Sequence, residues 1–254
     1  MKDSKVSIKE IIRRIIFVVA LVVFIGSAFK ILTIFNEYRK NSKSYKEVQE
    51  FAPEVVVDEG TGEEQFVFNQ EDYDKLFAIN NEFKGWIRVP NTKVNYPVVQ
   101  AVDNDYYLTH NFKKEVNDGG AIFLTYENKA PFEDRNTIIH GHHMKDGSMF
   151  ASLEELKDEP FFRANNRVYI NTRDEVLEYE IFSVYAERAN VDPYRDGFSS
   201  DEDYVNYLNS LKGKSMFNVD MPEFNKDDKI ITLSTCTYEI EDGRLLVHGR
   251  LVKK

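Results

Sequence analysis

The sequence predicts a mainly β fold, one barrel-like domain with added helices, preceded by a single membrane-spanning helix. Three observations carry this reading. An apolar N-terminal run, interrupted by Lys30, is long enough to cross a bilayer, a helix-periodic segment precedes Gly85, and eight short β-rich runs follow it. Many short strands separated by turn residues read as a barrel or sandwich.

Residues 1–14 form a basic tail. The run IIFVVALVVFIGSAF covers Ile15 to Phe29, and after Lys30 it resumes as ILTIF to Phe35. Together, 15–35 supplies the roughly 20 residues that a spanning helix needs. Lys30 lies near one end, where its long stem can carry the charge to the headgroups. The basic cluster ahead of the run predicts a cytoplasmic N-terminus and an exported remainder. Arg39, Lys40 and Lys43 beyond the span weaken that asymmetry without reversing it. Gly26-Ser27-Ala28 offers a small-residue cleavage site, but the apolar run continues past it and favours an uncleaved anchor.

Residues 36–70 are polar and irregular, with a Val55-Val56-Val57 patch and a Gly60-Thr61-Gly62 turn signal, and are expected as a stalk or linker. The domain proper is expected over 71–254. In 71–84, Tyr73, Leu76, Phe77, Ile79 and Phe83 fall on one helical face. The β-rich runs are WIRVP, VNYPVVQ, GGAIFLTYEN, NTIIHGHHM, RVYINT, EVLEYEIFSVYAE, KIITLSTC and RLLVHGRLV. Helical interruptions are expected at 148–157 and 200–212, the second opening with Ser200 three residues before Asp203 as a capping pattern.

Charge is unevenly spread. The chain carries −10, while residues 1–35 hold six basic against two acidic residues, so the body sums to −14. An acidic body excludes the basic face that nucleic acid would require. The single cysteine excludes an intramolecular disulfide and any zinc site built on several thiolates. A lone thiol in an exported chain is exposed to oxidation and mispairing. Its bland reading is a small buried hydrophobe.

That cysteine, Cys236, ends the strand-like run KIITL followed by small hydroxyl residues. A nucleophile at a strand end is held rigidly at a rim, as covalent catalysis requires. Its thiolate needs a neighbouring cation. Of five histidines, His110 and His248 are isolated, whereas His140, His142 and His143 cluster where another strand runs into a turn. His140 and His142 with Asp146 make only a weak metal pattern. Arg244 opens the strand after Cys236, so a hairpin brings the two together. There a guanidinium can donate to a developing oxyanion, or simply pair with Glu239, Glu241 or Asp242.

These residues carry a resemblance. Thr232-Leu233-Ser234-Thr235-Cys236 is similar to the TLxTC signature of sortases, and Ile139-His140-Gly141-His142 resembles their strand-end Gly-His. GWIRVPNTKVNYPVVQ (85–100), DNDYYLTHNF (103–112), GGAIFLTYEN (119–128) and HGHHMKDGSMF (140–150) resemble class B sortases in particular. The likeness covers roughly 71–254, and 190–220 resembles the long helical connection of that class.

The resemblance implies a sortase-type closed β-barrel and a cysteine transpeptidase. Cys236 is implied as nucleophile, cutting a C-terminal sorting signal after Thr. His142, which directly follows Gly141, is implied as the imidazolium partner and Arg244 as the oxyanion donor; Ser234, two residues before the nucleophile, is a candidate substrate contact, against the structural role a strand-end Ser more often has. It implies no cofactor. The implied partners are surface proteins bearing a sorting signal and an amine of a peptidoglycan precursor or cross-bridge, with the membrane reached through the N-terminal helix and the catalytic domain extracellular. Thr237 and Tyr238 stand where some class B relatives carry an Asp shortly after the cysteine, which speaks against an acidic third member. A peptidase using water as acceptor and a non-catalytic wall-binding module are the alternatives.

Overall fold

The computed structural model describes residues 7–57, 64–189, 194, 195 and 197–252. The Gly60-Thr61-Gly62 turn signal lies outside the described residues.

All eight β-rich runs become strands of one closed barrel. They are β3 (Phe83–Arg88), β4 (Asn95–Val99), β5 (Ile122–Leu124), β6 (Asn136–His140), β7 (Arg167–Asn171), β8 (Val176–Arg188), β9 (Ile230–Thr237) and β10 (Gly243–Leu251). Around the barrel the order is β10-β8-β7-β3-β4-β5-β6-β9, closed between β9 and β10. Only β4–β5 and β6–β9 pair in parallel. Closure leaves no free edge, so every strand is paired on both sides. The main core is built from fully buried residues such as Trp86, Ile122, Ile139, Ile170, Leu233 and Val247.

Helix α1 runs without a break over Ile8–Gln49, and its apolar part is exposed on every side. It is long and apolar enough to cross a membrane, as expected for 15–35. Part of the stretch read as a stalk is therefore regular structure. The last turns of α1 bury Asn41, Ser44, Tyr45 and Val48 against the barrel. Tyr45 Oη donates to the Gly120 carbonyl at 2.7 Å, and Asn111 Nδ2 donates to Ser44 Oγ at 3.0 Å. The valine patch forms β1 (Glu54–Val57), hydrogen-bonded antiparallel to β2 (Glu64–Val67).

Helix α2 (Gln70–Ile79) is capped by Asn69 Oδ1, which accepts from Glu71 N. It stops five residues short of the expected end. Asn80 Oδ1 accepts from Glu82 N in an Asx turn, and Phe83 already pairs with Val99 in the sheet. The helix expected at 148–157 is a 3₁₀ segment over Ala151–Lys157. A short α3 (Glu159–Ala164) follows, capped by Asp158 with Pro160 in its first turn. Helix α4 (Asp201–Lys214) starts at Ser200 as expected, with Ser200 Oγ accepting from Asp203 N at 3.0 Å. The Asp203 carboxylate does not return to the cap but takes Arg195 and Ser199. Helix α4 covers a second apolar cluster that includes Phe182, Tyr204, Leu208, Ile230 and Leu246.

Candidate active site

Strand parity selects the face on which the site is built. Leu233, Ile139 and Val247 belong to the main core, so their neighbours at odd spacing point the other way. On β9 that opposite face carries Thr232, Ser234 and Cys236; on β10 it carries Arg244 and Leu246; on β6 it carries His140. The registers bring these together, with Cys236 directly opposite Arg244 and His140 beside Ser234. Directly opposed residues of an antiparallel pair hold their Cβ atoms about 4.5–5.5 Å apart. Cys236 is partly exposed, and Arg244 retains 29% exposure. Both line a cleft of about 740 Å³ that also reaches His142 and Ser234.

Arg244 is not committed to a strong ion pair. Its Nη1 donates to the Gly243 carbonyl at 3.1 Å, and the nearest carboxylate, Asp242, lies 3.6 Å away and is 73% exposed. The guanidinium also hydrogen-bonds the Tyr194 phenol across the cleft, so neutral partners rather than a close carboxylate hold the fork.

The three clustered histidines have different environments. His142 Nε2 lies 2.7 Å from the Leu108 carbonyl, a partner that requires an N–H there. Protonation of Nδ1 then makes the imidazolium without breaking that bond. His140 packs against the rings of Phe123 and Tyr194 at 5.3 and 5.1 Å. Burial, joined by the charge of Arg244 and only partly offset by Glu127, pushes it down to about 4. It is neutral near pH 7 and unsuited to hold a thiolate. His143 Nδ1 donates to the Cys236 carbonyl at 2.8 Å and fixes the backbone behind the nucleophile.

Gly141 has a steric reason to precede His142. A Cβ there would stand 2.5 Å from Ile122 Cδ1 and 2.8 Å from the Phe150 ring. Of the isolated histidines, His110 lies at the surface, stacked on Tyr106. His248 is fully buried, with Nδ1 2.9 Å from Thr232 Oγ1, and burial pushes it down to about 3. It is a core residue rather than the idle surface side chain that its isolation suggests.

Sequence reasoning missed several residues of the cleft. Tyr194 Oη lies 2.7 Å from Ser234 Oγ, and burial raises its phenol above the ordinary range. Asn104, Leu108, Thr125 and Glu127 also line the cleft. Burial pushes the Glu127 carboxyl up, but hydrogen bonds from Thr125 and Asn104 outweigh it and leave the group below its usual range. Asn104 and Leu108 sit in the DNDYYLTH run, which forms a 3₁₀ turn over Tyr106–Leu108 around the buried Tyr107 and whose role in the cleft only the fold reveals. Tyr194 belongs to the 190–220 connection, where residues 190–193 and 196 lie outside the described ones.

The chain is similar to known proteins in sequence and in fold. Residues 87–252 match the family model for the sortase domain. Sortase B of Listeria monocytogenes is 34% identical over 250 residues, covering 97% of this chain and 99% of the relative. The crystal structure of sortase B from B. anthracis in complex with AAEK1 superposes with a TM-score of 0.74 at 39% identity, covering 87% of this chain and all of that one. A Staphylococcus aureus sortase B–substrate complex gives 0.73 at 27% identity, covering 85% and 98%.

Proposed function

The chain belongs to the sortase family of cysteine transpeptidases, within its class B, and from that premise we propose that it is membrane-anchored and joins proteins bearing a C-terminal sorting signal to a cell-wall amine. The observation that carries the reading is the opposition of Cys236 and Arg244 across β9–β10, in one cleft with His142.

In the proposed first step the Cys236 thiolate attacks the carbonyl carbon of a Thr in the sorting signal. Charge develops on the carbonyl oxygen, and the Arg244 guanidinium donates to it. The scissile C–N bond breaks, the His142 imidazolium gives its proton to the leaving amine, and a thioester on Cys236 remains. In the second step a neutral acceptor amine attacks the thioester. Its nitrogen passes a proton to His142, the C–S bond breaks, and the thiolate–imidazolium pair is restored. Ser234, held by Tyr194, contributes a hydroxyl to the wall of the cleft where the signal lies. The N-terminal span, 15–35, anchors the enzyme with its tail in the cytoplasm, and 71–254 forms the catalytic domain outside.

The test uses the full chain in detergent micelles, incubated with quenched peptides carrying Thr–Gly and Thr–Asn bonds, with and without a diamino nucleophile. Mass spectrometry is expected to find an acyl adduct on Cys236 that the amine converts to a ligated product. An adduct that yields only the hydrolysed acid would make the enzyme a peptidase. No adduct with any peptide would overturn the proposal.

A further inference from the structure

A second cavity, of about 300 Å³, lies between α1 and the catalytic rim, and no step above uses it. One wall is α1 where the apolar run ends, carrying Ile34 and then Glu37, Tyr38 and Asn41. The other carries Asp118, His143 and Tyr238. His143 follows His142 in the chain and bonds to the Cys236 carbonyl, and Tyr238 lies two residues past Cys236. The His143 and Tyr238 rings meet at 4.9 Å. The cavity therefore lies on the helix side of the nucleophile's backbone, one residue along the chain from His142 and sharing no lining residue with the cleft.

Its chemistry is that of a cation site. Glu37 and Asp118 have no ion-pair partner among the described residues, and they outnumber the single lysine on the cavity, Lys145. Two phenol rings add faces that attract a cation. Asn41 supplies an independent sign. It is only 3% exposed, and its side-chain oxygen has no hydrogen-bond partner. A buried amide oxygen left unpaired costs free energy unless a donor arrives. Gly119 lets the Asn41 amide pack against the cavity wall, since a Cβ there would stand 2.5 Å from the amide nitrogen.

We propose that this cavity binds the ammonium group of the acceptor before transfer, through Glu37, Asp118 and Asn41. The inference rests on the transpeptidase reading and adds the place from which the amine enters. The bound ammonium sheds one proton to solvent, and the free amine then attacks the Cys236 thioester as described. The anchor helix is thereby part of the acceptor site.

The test uses the full chain in micelles and the variants Glu37→Gln, Asp118→Asn and Asp118→Lys. The cationic acceptor is Nα-acetyl-lysine amide, and hydroxylamine, uncharged near neutral pH, is the control. Each neutralisation is expected to raise KM for the lysine amide roughly fivefold, and Asp118→Lys to raise it further. Acylation of Cys236 and transfer to hydroxylamine are expected to stay unchanged, which also certifies that the exposed Asp118 variants fold. An unchanged KM for the lysine amide, with acylation intact, would overturn the acceptor site alone. Equal losses with both nucleophiles would overturn it as well. Absence of the acyl adduct in the unmutated chain would overturn the transpeptidase reading and this inference with it.

Discussion

Replacing Arg244 with Gln separates a catalytic guanidinium from a structural one. In the folded protein Arg244 donates to the adjacent Gly243 carbonyl, hydrogen-bonds the Tyr194 phenol, and makes a loose approach to a mostly exposed carboxylate at 3.6 Å. Exposed pairs of that kind contribute about 0.2–1 kcal/mol at most. In the middle of that range, about 0.5 kcal/mol, the melting temperature of a domain this size falls by only about 1–2 °C. An oxyanion donor is worth far more, since removing one typically costs about 10²- to 10³-fold in kcat, or roughly 2.7–4 kcal/mol. The catalytic loss should therefore exceed the structural one several-fold. The assay is pre-steady-state acylation of Cys236 by a quenched sorting peptide, paired with a thermal melt. A contact made only in the transition state lowers kcat and kcat/KM together. Arg244→Lys keeps the charge but loses the planar fork, and should fall between Gln and the unmutated chain. Acylation within threefold of the unmutated rate, or a rise in KM alone, would refute the oxyanion role. A melting point lowered by ten degrees would instead make Arg244 part of the scaffold.

Three further outcomes follow from the same geometry. Gly141→Ala puts a methyl against Ile122 and Phe150, so about 1–3 kcal/mol of stability should be lost by overpacking, together with acylation as His142 is displaced; a chemical melt reads the first and burst kinetics the second. His142→Ala should abolish acylation while His140→Phe keeps it within a few-fold, because His140 is neutral and packed between rings; comparable losses in both would reverse the assignment. Acid should destabilise the fold through His140 and His248, which are held down to about 4 and about 3. Between the unfolded value near 6.5 and those values the unfolded chain binds protons that the fold does not, so stability is complete above about pH 6.5 and falls as pH drops. Two such groups give a slope of up to about 2.7 kcal/mol per pH unit. Denaturant melts from pH 6.5 to 4.5 should find that slope roughly halved in His248→Gln, and an unchanged slope would show that another group titrates.

The barrel was legible because its strands satisfy local rules. Runs such as KIITL and EVLEYEIF are short, β-branched or aromatic, and set off by turn residues, and all eight appear in the sheet. Cys236 and Arg244 were legible as a pair because a hairpin register depends only on nearby residues. Elements governed by distant contacts were harder to read. The end of α2 is set by Asn80 and by the pairing of Phe83 with Val99, not by helical periodicity, which continues to Phe83. The helix expected at 148–157 is a 3₁₀ turn over Ala151–Lys157, and α3, opened by Asp158 and Pro160, is not legible in periodicity at all. The far wall of the cleft was invisible, since Tyr194 reaches Ser234 across forty positions of chain. The docking of α1 was hidden for the same reason. Asn41, Ser44 and Tyr45 are polar residues in a polar stretch, and their burial becomes sensible only beside the Gly119–Gly120 turn.

That docking has a consequence for how substrate reaches the cleft. On a flexible stalk the catalytic rim would sample many heights and tilts above the bilayer. Here Asn41 is buried against the rim only six residues after Phe35, the end of the proposed span, and six residues of α-helix rise about 9 Å. Tyr45, Ser44 and the ion pair of Lys113 with Glu47 continue the attachment along the next turns. A single rigid helix thus carries both the proposed anchor and one wall of the cavity beside His143 and Tyr238. Fixing the rim at one height would reduce the orientational freedom lost on capture of a substrate that is itself tethered to the membrane. The barrel provides the rigid opposition of thiol and guanidinium, and the helix fixes where that opposition stands.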